Sequence, residues 1–191
     1  METVKIDYKN IYYPPGGILL WILIFLELIT FGIALIILVI NSKDNLELFH
    51  QSRLHLNSTF GAINTVFLLT SGAFMAVTVH QFKQNNLKEA SLFIKLTMLG
   101  GLLFLILKGI EYYLKIKSGY TLGSNSFFTF YWLLTGFHVI HVLVGLVILL
   151  FTQKGLKKKT LLLEDMEAGA AFWHMCDLIW LLLFPILYLI F

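Results

Sequence analysis

The chain has 191 residues, of which 58% are hydrophobic and 13% charged, with a net charge of +3 and a mean hydropathy of +0.82. A soluble domain is about 45–50% apolar and about 25% charged. The balance therefore excludes intrinsic disorder, a disulfide scaffold and an ordinary soluble enzyme, and it points to an integral membrane protein. A bilayer-spanning helix takes roughly 20 apolar residues, so the length holds five or six spans and leaves no room for a separate soluble catalytic domain.

The first fifteen residues mix Glu2, Lys5, Asp7 and Lys9 with aromatics and lack the apolar core and cleavage site of a signal peptide. The first apolar run is therefore expected to be a retained span. Apolar runs follow at 17–40, 59–82, 90–115, 127–151 and 168–190. Each is long enough to cross the hydrocarbon layer with some tilt. Polar residues do not alternate along them, which argues against a β-barrel, and helices satisfy their own backbone in lipid. The expected fold is all-α: one membrane domain over residues 1–191, built as a bundle of five transmembrane helices. Loop signals separate the runs: Pro14 to Gly17, Asn41 to Asn45, Gln84 to Asn86, and Gly119 with Gly123, Ser124 and Asn125. The 41–58 connection is the longest. Its Leu46, Leu48 and Phe49 suggest a short interfacial helix, with His50 and His55 in loop.

Orientation follows from the cations. The N-terminus and the loops at 83–89 and 152–166 carry Lys5, Lys9, Lys83, Lys88, Lys154, Lys157, Lys158 and Lys159. The opposite side carries Lys43, Arg53, Lys115 and Lys117. The positive-inside bias places the N-terminus in the cytoplasm and the C-terminus outside. The run at 157–159 dominates this bias, and a lipid-headgroup contact is its sharper reading. With one arginine and no basic face, a nucleic-acid partner is not expected. The lone Cys176 rules out an intrachain disulfide and a cysteine cluster.

An ionisable residue deep in a span is costly and marks function by default. Glu27 and Asp177 each lie about ten residues into their spans, near the midplane at about 1.5 Å per residue. His138 and His141 share one face of span four, and His174 and Asp177 share one face of span five. These five residues are read as an intramembrane polar cluster. The competing role is to hydrogen-bond helices together, at about 1 kcal/mol per bond. Burial in hydrocarbon favours the neutral carboxyl, and such a Glu27 should react with hydrophobic carbodiimides. Lys108 and Glu111 form a natural ion pair at the outer end of span three, and Lys95 can snorkel. Small residues at Ser71 to Ala73, Gly100-Gly101, Thr135-Gly136 and in the stretch Glu167 to Ala171 let helices approach closely. Trp132, Trp173, Trp180, Tyr112, Tyr113 and Tyr188 are expected to serve partly as interfacial anchors. The spacing of Trp173, Asp177 and Trp180 also allows indole-to-carboxylate bonds.

A haem b site needs axial histidines on facing helices, and His138 with His174 is the one midplane pair the sequence offers. No phosphate loop, nucleophile elbow or zinc motif is present. No catalytic residue, metal site or cofactor of its own is therefore expected. The chain reads as one subunit of a larger machine.

Span four, Thr135-Gly136-Phe137-His138-Val139-Ile140-His141-Val142-Leu143-Val144-Gly145, resembles the TGxHxxHVxxG signature of cytochrome c oxidase subunit III. Span five is similar: Glu167-Ala168, then Trp173-His174-Met175-Cys176-Asp177-Leu178-Ile179-Trp180, matches the family's E…WHxxDxxW pattern. Leu26-Glu27 resembles the family's carbodiimide-reactive glutamate helix. Asn64-Thr65, Ser71-Gly72, His80, Asn85-Asn86, Gly100 and Glu111-Tyr112 follow the family order, so the resemblance covers about residues 14–190. Five spans rather than seven suggest the short bacterial form. Pro14-Pro15-Gly16, Tyr131 to Thr135 and Leu183 to Tyr188 look closest to the branch linked to nitric oxide reductases.

The resemblance implies a non-catalytic subunit in the bacterial cytoplasmic (inner) membrane, beside a haem-copper catalytic subunit I and other subunits. Haem with copper or iron would then reside in that partner. It also implies support for proton uptake and protection of the partner's active site. His80, Asn86 and Glu167 would form a surface that binds phospholipid or collects protons. Two other readings stay open from the residues: an independent transporter or proton channel, which lacks a visible inverted repeat, and an assembly factor for the oxidase.

Overall fold

In a computed structural model, which describes residue 14 and residues 16–191, the chain is a bundle of helices. Lys5 and Lys9, used above for orientation, and Pro15 lie outside the described residues. The helices are α1 (Ile18–Asp44), α2 (Leu46–Leu54), α3 (Ser58–Lys83), α4 (Leu87–Lys117), α5 (Ser126–Lys158) and α6 (Leu163–Pro185), and a π-helical turn follows at Ile186–Ile190. No strand occurs among the described residues. Five helices are long and apolar enough to cross a membrane, and they overlie the five apolar runs. Large apolar side chains such as Leu19, Ile36, Val66, Ile106 and Phe151 face outward. Such a surface suits hydrocarbon, and the chain is a multi-pass membrane protein.

Local chemistry sets the boundaries. Asn57 caps α3 by accepting from the Thr59 amide at 3.0 Å, and Asn125 caps α5 by accepting from the Phe128 amide at 2.8 Å. Asn85 turns the chain between α3 and α4 at φ 60°, a conformation asparagine tolerates better than most residues. Pro185 has no amide to donate, and the ladder behind it relaxes into the π turn. That turn buries Leu187 and Tyr188.

α3 and α4 pack as an antiparallel hairpin, and α6 packs against α3, α5 and α1. Trp173 explains the small residues of two neighbours. A Cβ on Gly101 would stand 2.9 Å from its Cζ2, and one on Gly145 would stand 2.9 Å from its Cε3. The indole is thus wedged between glycines of α4 and α5. α2 lies over the end of the bundle that carries the C-terminal turn, with Phe49 buried. It is tied down where Asn125 Nδ2 donates to Ser52 Oγ at 2.8 Å and Arg53 Nε donates to the Tyr188 carbonyl at 3.0 Å.

Three expectations change. His50 lies within α2 and His55 at its end, not in open loop. Trp173, Trp180 and Tyr188 are fully buried and so are not interfacial anchors. Their indoles do not bond Asp177. Trp173 Nε1 donates to Ser71 Oγ and Trp180 Nε1 to Thr65 Oγ1, each at 3.0 Å. Hydroxyls on α3 are the nearer acceptors because α6 turns both indoles toward that helix.

Candidate functional site

The mid-membrane residues singled out in the sequence fall into two pairs and one isolated ring. α1 and α5 bring Glu27 Oε2 to 3.2 Å from His141 Nε2. His141 Nδ1 lies 2.8 Å from the Phe137 carbonyl four residues earlier. A carbonyl only accepts, so Nδ1 carries a hydrogen and neutral His141 presents Nε2 as an acceptor. One proton can therefore serve both Nε2 and Oε2, although the contact falls short of hydrogen-bond alignment. Phe31 and Phe137 pack around the imidazole at 5.8 and 4.6 Å between ring centres, which keeps this pair in apolar surroundings.

The second pair lies on α6. His174 Nδ1 is 3.4 Å from Asp177 Oδ2. Asp177 fits because α3 offers Gly72 there: a Cβ at 72 would overlap Asp177 Oδ2. Asp177 Oδ1 has no hydrogen-bond partner. His138 is fully buried and stands apart from both pairs. Its ring stacks on Trp180 at 5.5 Å and meets Phe104 edge-on at 5.5 Å, and neither of its nitrogens is bonded. The five residues are thus a divided set and not one connected network. Among the described residues no three His, Cys, Asp or Glu side chains converge as metal ligands.

A second polar centre sits toward the α2 end of the bundle. Lys108 and Glu111 form the expected ion pair at 3.0 Å, with both side chains only 1% exposed. Two phenols that sequence reasoning missed complete it. Lys108 Nζ also donates to Tyr188 at 2.6 Å and Tyr131 at 3.3 Å, and both hydroxyls donate to Glu111 Oε1, at 2.7 and 3.0 Å. The ammonium lies 4.8–5.3 Å from the ring centres of Tyr131, Tyr112, Trp180 and Tyr188, within cation–π range. Tyr131 lies one turn before Thr135 in the span-four motif, and its buried helical face was the available signal. Tyr188 gave none, because the π turn that points it inward shifts its register.

At the end of the bundle that carries the α3–α4 turn, the expected surface is only partly a surface. His80 and Asn86 are exposed but bonded within the α3–α4 turn, to Gln84 at 3.0 Å and Gln81 at 3.1 Å. Glu167 is buried, and its carboxylate meets Lys83 at 2.7 Å. That pair fastens α6 to the end of α3, because a carboxylate on the packed face of α6 needs a cation within reach.

The sequence is similar to known proteins. The family model for cytochrome c oxidase subunit III matches residues 55–190. A cytochrome c oxidase subunit 3 of Osphranter robustus is 31% identical over 129 residues, 66% of this chain and 48% of that protein. One from Aedes aegypti is 33% identical over 129 residues, with the same 66% and 48% shares. A cytochrome bo(3) ubiquinol oxidase subunit 3 of Buchnera aphidicola is 26% identical over 174 residues, 89% of this chain and 84% of that protein. The matches span about half the length of the cytochrome c oxidase relatives and most of the quinol oxidase one.

Proposed function

The chain belongs to the cytochrome c oxidase subunit III family, and from that premise we propose that it is a non-catalytic membrane subunit of a haem-copper respiratory oxidase. The match over residues 55–190, which takes in α3 to α6, carries this reading. Its partner is the haem-copper catalytic subunit, which holds the haem and metal of the complex. The membrane is the bacterial cytoplasmic membrane, with the lysine-rich ends of α3 and α5 on the cytoplasmic side. The terminal acceptor is O2 or, on the branch that the sequence resembles, NO.

Within the complex the divided polar set has a role that its chemistry supports. Glu27 and His141 can hold and exchange one proton in apolar surroundings, which suits support of proton uptake by a neighbouring chain. His80, Asn86 and the Lys83–Glu167 pair form a polar rim at the inner edge, where a phospholipid headgroup or a proton can dock.

Affinity purification from native membranes tests the subunit assignment. Co-purification with a haem-bearing, multi-span partner is expected, and O2 or NO consumption by that complex identifies the acceptor. Glu27→Ala and His174→Ala should leave the partner's haem spectrum intact. A colourless oligomer that moves ions in liposomes would replace this reading with the transporter. Association only before haem insertion would replace it with the assembly factor.

A further inference from the structure

A polar side chain on the outer face of a span must avoid stranding a hydrogen-bonding atom in hydrocarbon. Two exposed residues do so on their own helices. Thr30 Oγ1 donates to the Leu26 carbonyl at 2.8 Å, and the Thr70 hydroxyl donates to the Val66 carbonyl. His174 has no such recourse. Its side chain is 45% exposed, Nδ1 is taken up by Asp177, and Nε2 has no hydrogen-bond partner among the described residues. Its depth is fixed by Glu167, seven residues earlier, whose carboxylate meets the exposed Lys83 at the inner edge. At about 1.5 Å per residue His174 lies about 10 Å deeper. A lipid headgroup does not reach that level, and acyl chains offer no hydrogen bond. Intramembrane histidines face a protein interior or a water-filled cavity almost without exception.

The surroundings of His174 fit a second helix. Leu178 and Leu182, one and two turns on, are exposed on the same face of α6. On neighbouring α3, Gly72 lies against the pair, since a Cβ there would stand 3.4 Å from His174 Nδ1. Ala73 and Ala76 are exposed beside it. Small residues of this kind let an incoming backbone approach closely. The unpaired imidazole nitrogen then gives that helix a polar anchor point.

We infer that the His174 face of α6 seats a membrane-spanning helix of another subunit, one that places a hydroxyl or carboxamide side chain opposite His174 Nε2. This rests on the subunit reading above and names the partner chemistry of that assembly.

The test uses the complex in native membranes. A benzophenone-bearing amino acid at Leu178 should, on illumination, give one adduct between this chain and another subunit, identified by mass spectrometry. His174→Leu should lower the co-purified partner about fivefold, the loss expected for one interhelical hydrogen bond. His174→Gln keeps a donor and an acceptor and should retain most of it. An adduct with a second copy, labelling of lipid alone, or full retention by His174→Leu would overturn the inference. Failure of the unaltered chain to co-purify any haem-bearing partner would sink the subunit reading instead. Co-purification with lipid-only labelling at Leu178 would sink the docking face alone.

Discussion

The Lys108 centre and the mid-membrane pairs are made from the same materials, a base and an acid among aromatic rings, yet they end in opposite states. Around Lys108 the accounting closes. Its three donors reach Glu111 Oε2, Tyr131 and Tyr188, and both phenols return to Glu111 Oε1. At mid-membrane it stays open. Glu27 faces His141 without full alignment, Asp177 Oδ1 has no partner, and His174 keeps a free nitrogen at the surface. A closed buried network fixes one arrangement of helices, whereas an open one leaves atoms for a proton or another chain. Architecture thus belongs to the first centre and exchange with neighbours to the second.

The sharpest way to break it is at Lys108. Lys108→Met leaves Glu111 buried without its cation and should cost about 3–5 kcal/mol, whereas exchanging both partners for apolar residues of similar volume should be close to neutral. Thermal unfolding in detergent micelles should therefore show a large loss for Lys108→Met and recovery in the Lys108→Met, Glu111→Leu double variant. A neutral single variant would show that the network does not hold α4, α5 and the C-terminal turn together.

Packing around Trp173 gives the next largest effect. Gly101→Val pushes side-chain atoms into the indole and should cost about 1–3 kcal/mol, the range for overpacking. Gly136→Ala, where a Cβ meets nothing within 4 Å, serves as the control. It should be neutral or raise stability by up to about 1 kcal/mol through helix propensity. Equal losses at the two glycines would assign the effect to helix propensity and not to the indole wedge.

Hydropathy alone carries the five long helices, because in lipid the backbone leaves few alternatives to a helix. Pairs within one helix were equally legible: Lys108 with Glu111 and His174 with Asp177 follow from spacing of three. What crosses between helices was not. The bond from Trp173 to Ser71, the closure of the cage by Tyr188 and the division of the five-residue cluster into separate pairs depend on how each helix is rotated. In membrane helices that rotation is hard to read from periodicity, since both the lipid-facing and the packed faces are apolar. Glu167 illustrates the same limit. The family resemblance implied a surface role for it, and only the approach of α6 to Lys83 shows why it is buried.

Glu27 provides the smallest stability effect and the most discriminating chemistry. Its side chain is 20% exposed, and its contact with His141 is unaligned. Glu27→Gln should therefore change unfolding stability by less than about 1 kcal/mol, the scale of one interhelical hydrogen bond. Dicyclohexylcarbodiimide should nevertheless label the unaltered chain and spare the variant, because the reagent needs an acidic carboxyl in apolar surroundings. His141 sharpens the point. With Nδ1 donating to the Phe137 carbonyl, a neutral imidazole leaves Nε2 as an acceptor facing Glu27, so the pair can share the proton the reagent consumes. A large stability loss without any change in labelling would place Glu27 with Lys108 among the architectural residues and erase the contrast between the two centres.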